Sequence, residues 1–341
     1  MAKLDNVQNY VTNDLTTYRE ELFGDMQPIQ FKGVDSRGNE IAEARFQLPS
    51  LDWYDGKKIS GLIGGAKPSN YSGSPKLWNS FFQEVGIDGA YMCFDFPSEK
   101  REDFPRFLEE LLNVQGILDI SVTDPYKSDA YEYLSSVRNR DVEFSAAAKA
   151  LGVVNHIIYD DDKNKIYGLM TDGAGMIWGI NTQRSIRDKR VFLLGAGGAA
   201  SAIAYELIQG GVSSLHIANR RVENAQRLKN KLNSDRVSIS GLEDTIGFIR
   251  SSDILIYAIE PTIELKGIED AKEDSLFVDV RYGEKEKFAK LGMSLAHKGL
   301  DGKMMLYGQY NIAARKVAEI EKANISDVDD ALNKIRKSFL K

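Results

Sequence analysis

The 341-residue chain is 43% hydrophobic and 28% charged, an ordinary globular balance with enough length for two separate cores. Its formal net charge of -6 disfavours a nucleic-acid backbone or an anionic membrane as partner, and its single cysteine, Cys93, excludes an intrachain disulfide or a multi-cysteine metal site. The scattered His156, His216 and His297 lack the spacing of a zinc pair and no apolar run approaches the ~20 residues of a bilayer span, so a soluble, cytoplasmic, metal-free protein is expected.

In chain order, residues 1–56 read as an N-terminal extension of mixed polarity. Strand-like alternation occurs at Ile29-Gln-Phe-Lys-Gly and Ala44-Arg-Phe-Gln-Leu, on either side of the turn signal Asp35-Ser-Arg-Gly-Asn, and no chemistry attaches to it. From Lys58 short apolar strands alternate with amphipathic helices, the pattern of parallel strands joined by crossovers. Strands are expected at 59–64, 89–94 and 116–122, with helices at 75–85, 103–112 and from about 128. Residues 176–188 should form a helix and linker. A second series starts with strand 190–195 and continues through helix 199–209, strand 214–218, helix 222–232 and strands 253–257 and 275–280, ahead of a further segment at 292–296. Residues 304–335 keep helical spacing throughout and are expected to return to the first domain. The expected fold class is α/β: an open α/β substrate domain at 57–178 plus 303–341, and a Rossmann-type nucleotide-binding domain at 179–302.

Strand Val191-Phe-Leu-Leu runs into Gly195, Ala196, Gly197, Gly198 and Ala199, and then into the apolar helix Ala202-Ile-Ala-Tyr-Glu-Leu-Ile. This order lets backbone N–H groups and the positive end of a helix meet a pyrophosphate. Gly195 suits the tight turn, Gly197 the close approach of phosphates, and Ala200 stands where a third glycine is common. The next strand ends in Ala218, Asn219, Arg220 and Arg221. An acidic residue there would hold the 2′-hydroxyl of NAD, whereas paired guanidiniums favour the 2′-phosphate of NADP. NADP is therefore the expected cofactor.

Other polar clusters fall where strands of the first series end, the side that faces a ligand in open parallel sheets. They are Ser72-Gly-Ser74-Pro with Trp78-Asn79, Val122-Thr123-Asp-Pro-Tyr-Lys127, and Thr171-Asp172-Gly, with Gly152-Val-Val-Asn155 between the last two. Together with the glycine turn, Asp279-Val-Arg-Tyr282, and Met305-Leu with Gln309, they resemble the shikimate dehydrogenase family over roughly residues 59–320. The resemblance implies an NADP-dependent dehydrogenase that reversibly reduces the ring ketone of a 3-dehydroshikimate-like cyclic hydroxy acid, as in aromatic amino acid biosynthesis. It assigns Lys127 and Asp172 as the catalytic pair. Ser72, Ser74 and Tyr282 would hold the substrate carboxylate, and Thr123, Asn155 and Gln309 would complete the substrate site. Reducing a ketone requires a proton for the developing alkoxide, which explains a cationic donor with a carboxylate partner. The partner implied is a small carboxylic acid, with a homodimer left open.

Departures from the family pattern gather around the substrate residues. Tyr71 and Trp78 stand where histidine is usual, Ser121 and Met170 where asparagine is usual, and His156 where threonine is usual, while Asp124 adds a charge beside Pro125. Losing two amides removes partners for ring hydroxyls, at a cost of about 1–3 kcal/mol for a polar group left unmet. Quinate, an amino analogue or another carboxylic acid therefore stands beside shikimate as substrate, and a non-catalytic dinucleotide-binding protein is the further alternative.

Overall fold

Wholly apolar runs such as Val191-Phe-Leu-Leu form strands buried on both faces, as parallel sheets covered by helices on each side require. The computed structural model describes residues 29–34, 40–46 and 58–340, apart from 66–67, 97, 114–115, 260–264, 283–286 and 296. Two compact units divide the chain, the first ending at Leu169 and resuming over Ala313–Phe339, the second spanning Met170–Ile312. The turn signal expected at 35–39 and the rest of the extension, residues 1–28 and 47–57, lie outside the described residues. Strands β1 (Ile29–Val34) and β2 (Glu40–Phe46) pair antiparallel, as their alternation suggests.

In the first unit, β3 (Lys58–Gly64), β4 (Gly89–Asp95), β5 (Ile117–Val122), β6 (Asp141–Phe144), β7 (His156–Asp160) and β8 (Lys165–Leu169) form a six-stranded sheet in the order β4-β3-β5-β7-β8-β6. The pairs β3/β4, β3/β5 and β6/β8 are parallel, whereas β7 runs antiparallel to both β5 and β8. The uniform parallel pattern expected from the sequence therefore stops at β5, because β7 and β8 are joined by a tight turn at 161–164 instead of a crossover helix. Helix α1 (Ser74–Val85) starts with proline in its first turn and stops at Gly86, whose φ of 73° is the left-handed cap. It buries Leu77, Trp78, Phe81 and Phe82, each contributing about 1.5–3 kcal/mol by leaving water. Helices α2 (Phe104–Leu112), α3 (Lys127–Ser136) and α4 (Ala146–Leu151) complete this part of the unit.

In the second unit, helix α5 (Asp172–Asn181) precedes the strands β9 (Arg190–Leu194), β10 (Ser214–Ala218), β11 (Val237–Ser240), β12 (Ile254–Tyr257), β13 (Leu276–Asp279) and β14 (Lys298–Leu300). These six are parallel in the order β11-β10-β9-β12-β13-β14, so the strand order reverses between β9 and β12. Alternate residues feed two cores: Val191, Leu193, Ile254, Ile256, Leu276 and Val278 on one face, Phe192, Leu194, Leu255, Tyr257 and Phe277 on the other. Helices α6 (Gly198–Gln209), α7 (Val222–Leu232), α8 (Ile246–Ser251) and α9 (Lys287–Ser294) lie between the strands in sequence. Residues 292–294 of the segment expected at 292–296 are the end of α9, and residue 296 lies outside the described residues; a Cβ on Gly292 would collide with the Phe277 ring, so that helix packs tightly on β13.

The helical run expected at 304–335 is broken into α10 (Lys303–Ile320) and α11 (Ile325–Phe339). Lys322 takes a φ of 57° and Ala323 N donates to the Ala318 carbonyl at 2.9 Å, while Asn324 Oδ1 accepts from Ser326 N at 2.8 Å and opens the next helix. Within the first unit Lys58 pairs with Glu321, Lys322 with Asp162 and Lys334 with Glu84 at 2.9, 2.8 and 2.5 Å; residues 313–339 cluster with that unit, while 304–312 cluster with the second.

His216 on β10 is bracketed by the hydroxyls of Ser238 (2.8 Å) and Ser240 (2.9 Å) and stacks on Phe248. Burial pushes its pKa down from 6.5 to about 4. The native imidazole stays neutral while the unfolded one gains a proton, so stability falls as pH drops from 6.5 towards about 4. His216→Gln, which keeps a donor and an acceptor but does not titrate, should flatten the fall of Tm across that window; an undiminished slope would refute the assignment.

Candidate active site

In the first unit the polar groups singled out in the sequence gather at the carboxyl ends of β3 and β5 and at the start of β7. Thr123 N donates to the Ile63 carbonyl at 2.9 Å and the Thr123 carbonyl accepts from Tyr126 N at 3.1 Å, so β5 turns directly into α3 through a cis Asp124–Pro125 bond. Lys127 opens α3 and its carbonyl accepts from Val154 N at 2.9 Å. The Asn155 carbonyl accepts from Val122 N and Asn155 N donates to the Leu169 carbonyl, both at 2.8 Å. Main-chain bonds thus fix Lys127, Thr123 and Asn155 relative to one another, whatever their side chains do. Asn155 is buried and Lys127 half-buried.

Ser74 is the first residue of α1 and Ser72 lies two residues before it, with Ser74 N donating to Ser72 Oγ at 3.2 Å. Both hydroxyls therefore sit at the positive end of a twelve-residue helix, an environment that favours an anionic group.

Behind these residues runs a buried polar chain that sequence reading noticed only in part. Asp119 has no solvent exposure at all. One of its oxygens lies 2.9 Å from His156 Nδ1 and the other accepts from Ser121 Oγ at 3.3 Å. Ser121 in turn accepts from the Tyr91 hydroxyl at 2.7 Å and lies 3.2 Å from His156 Nδ1. Ser121 and His156 are opposite each other in the antiparallel β5/β7 register. Burial and the nearby Asp119 carboxylate hold the Tyr91 phenol well above its ordinary range, so it remains a donor. Trp78 stacks on the Tyr91 ring with centroids 5.5 Å apart, and Asn79 Oδ1 accepts from Tyr91 N at 2.8 Å. The available signal was Asp119 itself, a carboxylate in the middle of an apolar strand.

In the second unit Asp172 opens α5 and is buried. A Cβ on Gly175 would stand 2.7 Å from the Met305 carbonyl oxygen, and one on Gly308 would stand 2.6 Å from Gly175 Cα. Glycine at both positions lets α5 and α10 touch main chain to main chain, which brings the turn holding Asp172 beside the turn holding Gln309. Tyr282 follows β13 and is half-buried. Its approach is fixed by the fully buried Asp279, whose carboxylate accepts from Arg281 N and Phe288 N, both at 3.0 Å, and from Arg281 Nε at 3.2 Å.

The glycine turn leaves β9 beside the point where the strand order reverses, the place where such sheets hold dinucleotides. Gly195 has a φ of 120°, and a Cβ there would stand 2.6 Å from the Ala258 carbonyl oxygen. Gly195 N donates to the Ala218 carbonyl at 2.8 Å, which ties the turn to the end of β10. Gly197 caps α6 with open space above it, Gly198 is exposed, and Ala196 and Ala199 are half-buried. Asn219 Nδ2 donates to the Arg221 carbonyl at 2.8 Å, and Arg220 and Arg221 are exposed. The structure therefore groups Ser72, Ser74, Thr123, Lys127 and Asn155 in the first unit, and in the second it groups Asp172 with Gln309 and the glycine turn with Asn219. No group of acidic, histidine or cysteine residues able to hold a metal occurs among the described residues, and no described helix is long and apolar enough to cross a membrane.

Comparison with known proteins gives the same division. The family model for shikimate / quinate 5-dehydrogenase matches residues 180–282, and that for the shikimate dehydrogenase substrate binding domain matches residues 64–157. A shikimate dehydrogenase (NADP(+)) of Methanobrevibacter smithii is 32% identical over 67% of this chain and 79% of its own length. The same enzyme of Clostridium beijerinckii is 33% identical over 73% and 87%. A crystal structure of a shikimate dehydrogenase in complex with NADP+ superposes with a TM-score of 0.63 at 30% identity, covering 82% of this chain and 96% of that one. A quinate dehydrogenase from Corynebacterium glutamicum in complex with NAD shares the fold, with a TM-score of 0.66 at 24% identity over 82% and 99% of the two chains.

Proposed function

The chain belongs to the shikimate dehydrogenase family, and we propose from that premise that it reversibly reduces the ring ketone of a 3-dehydroshikimate-like cyclic hydroxy acid. It is an NADP-dependent oxidoreductase acting on a CH–OH group. The observation that carries the substrate reading is the main-chain lattice that fixes Lys127, Thr123 and Asn155 around one strand end, next to the serine-bearing start of α1. A cation, a hydroxyl and an amide carried on one tied stretch of backbone suit a hydroxylated ring acid.

The glycine turn fits NADP, because its cradle at Gly195 exists only without a side chain and the space over Gly197 is open. Bound NADPH supplies the hydride. Backbone N–H groups at the start of α6 receive the pyrophosphate, and Arg220 and Arg221 receive the 2′-phosphate. Ser72, Ser74 and Tyr282 hold the substrate carboxylate, while Thr123, Asn155 and Gln309 orient the ring. Lys127 gives its proton to the alkoxide oxygen as the ketone carbon is reduced, and takes it back from the hydroxyl in the reverse direction. Asp172 keeps that ammonium and the reacting hydroxyl aligned. Residues 57–178 with 303–341 then form the substrate domain, 179–302 form the NADP domain, and the protein works in the cytoplasm. A related acid, quinate-like or otherwise altered, is the second reading, favoured by serine at 121 and histidine at 156.

Lys127→Ala should lower turnover by about two to four powers of ten with little change in NADPH affinity; unchanged turnover would remove the assigned role. Replacing Arg220 and Arg221 together with glutamine should weaken NADPH far more than NADH in fluorescence titrations, and equal losses for both cofactors would refute the phosphate contact.

A further inference from the structure

The polar chain Tyr91–Ser121–Asp119–His156 lies immediately behind the acid-binding residues of the first unit. Ser121 is two residues before Thr123, and so on the same side of the chain, His156 follows Asn155, and the Trp78 ring that stacks on Tyr91 is one turn along α1 from Ser74. At Ser121 its hydrogen-bonding capacity is already used. A serine hydroxyl has one proton and two acceptor positions. The Ser121 proton goes to Asp119 at 3.3 Å, and its oxygen accepts from the Tyr91 hydroxyl at 2.7 Å with His156 Nδ1 at 3.2 Å.

We propose that this closed chain forms a saturated floor to the substrate pocket and makes Ser121 a specificity-determining residue, selecting cyclic carboxylic acids that lack one ring hydroxyl. A hydroxyl brought against Ser121 meets no free donor or acceptor there, and leaves its own hydration without replacement. A C–H at the same place loses nothing. Tyr91, Asp119 and His156 act as positioning residues, since they work through Ser121 and need not touch the ring. The inference rests on the reading of this protein as a ring-acid dehydrogenase and narrows it to a class of substrate.

The test compares shikimate with its two analogues that each lack one non-reacting ring hydroxyl. Dissociation constants come from calorimetry on the full-length protein with NADP+ present, and kcat/KM from reduced-nicotinamide absorbance. In the natural protein one deoxy analogue should bind at least about fivefold more tightly than shikimate. Tyr91→Phe removes the donor that fills Ser121 and keeps the ring under Trp78, so the ratio should move about five- to tenfold towards shikimate, chiefly in KM. Tighter binding of shikimate than of both analogues by the natural protein, or a ratio unmoved by Tyr91→Phe, would overturn the floor. The natural-protein ratio decides the matter even if the variant folds poorly. A deoxy preference in binding without any turnover would uphold the floor and sink the dehydrogenase reading, whereas turnover without that preference would sink the floor alone.

Discussion

A buried polar group must find a partner or lose more free energy than a single domain can spare, and Asp119 is the place where this protein meets that constraint most sharply. Its carboxylate lies in the middle of the first sheet with no exposure. It is tolerable there only because His156 and Ser121 reach it from the adjoining strand and from two positions along its own strand. Those partners lie two residues before Thr123 and directly after Asn155, so the requirement of one buried group reaches the backbone that carries both.

The second unit answers a different constraint, the approach of main chain to main chain. Gly195 turns where its φ of 120° and the Ala258 carbonyl leave no room for a side chain. Gly175 and Gly308 let α5 and α10 meet with no side chain between them, which fixes the turns carrying Asp172 and Gln309. Glycine permits a tight turn in one case and helix-to-helix contact in the other. The two uses depend on separate elements of the same unit, so a substitution at one need not disturb the other.

Much of this was legible in the residues. The strand, glycine turn and helix at 190–209 stand where expected because the apolar run, the glycines and the helix formers agree at every level. The fold class and the family followed from the order of short motifs. The segment 141–169 was not legible, since β6 and β8 are only partly buried and span just four and five residues, and β7 pairs antiparallel where a crossover was anticipated. The break at 321–324 was missed because helical spacing continues across it, although Asn324 ahead of Ser326 carries the capping signal. Ser121 and His156 were visible as departures, but their connection was not: strand register and side-chain reach, absent from a linear sequence, join them to Asp119 and Tyr91.

The central claim is that this chain moves hydride between NADP and a ring carbon of a cyclic hydroxy acid, with Lys127 handling the proton. The most direct measurement is reduction of 3-dehydroshikimate by NADPH carrying deuterium at the transferable position, with the product weighed by mass spectrometry. The account predicts a product one mass unit heavier, formed by the natural protein and lost with Lys127→Ala. A product without deuterium, or one formed equally by that variant, would contradict it.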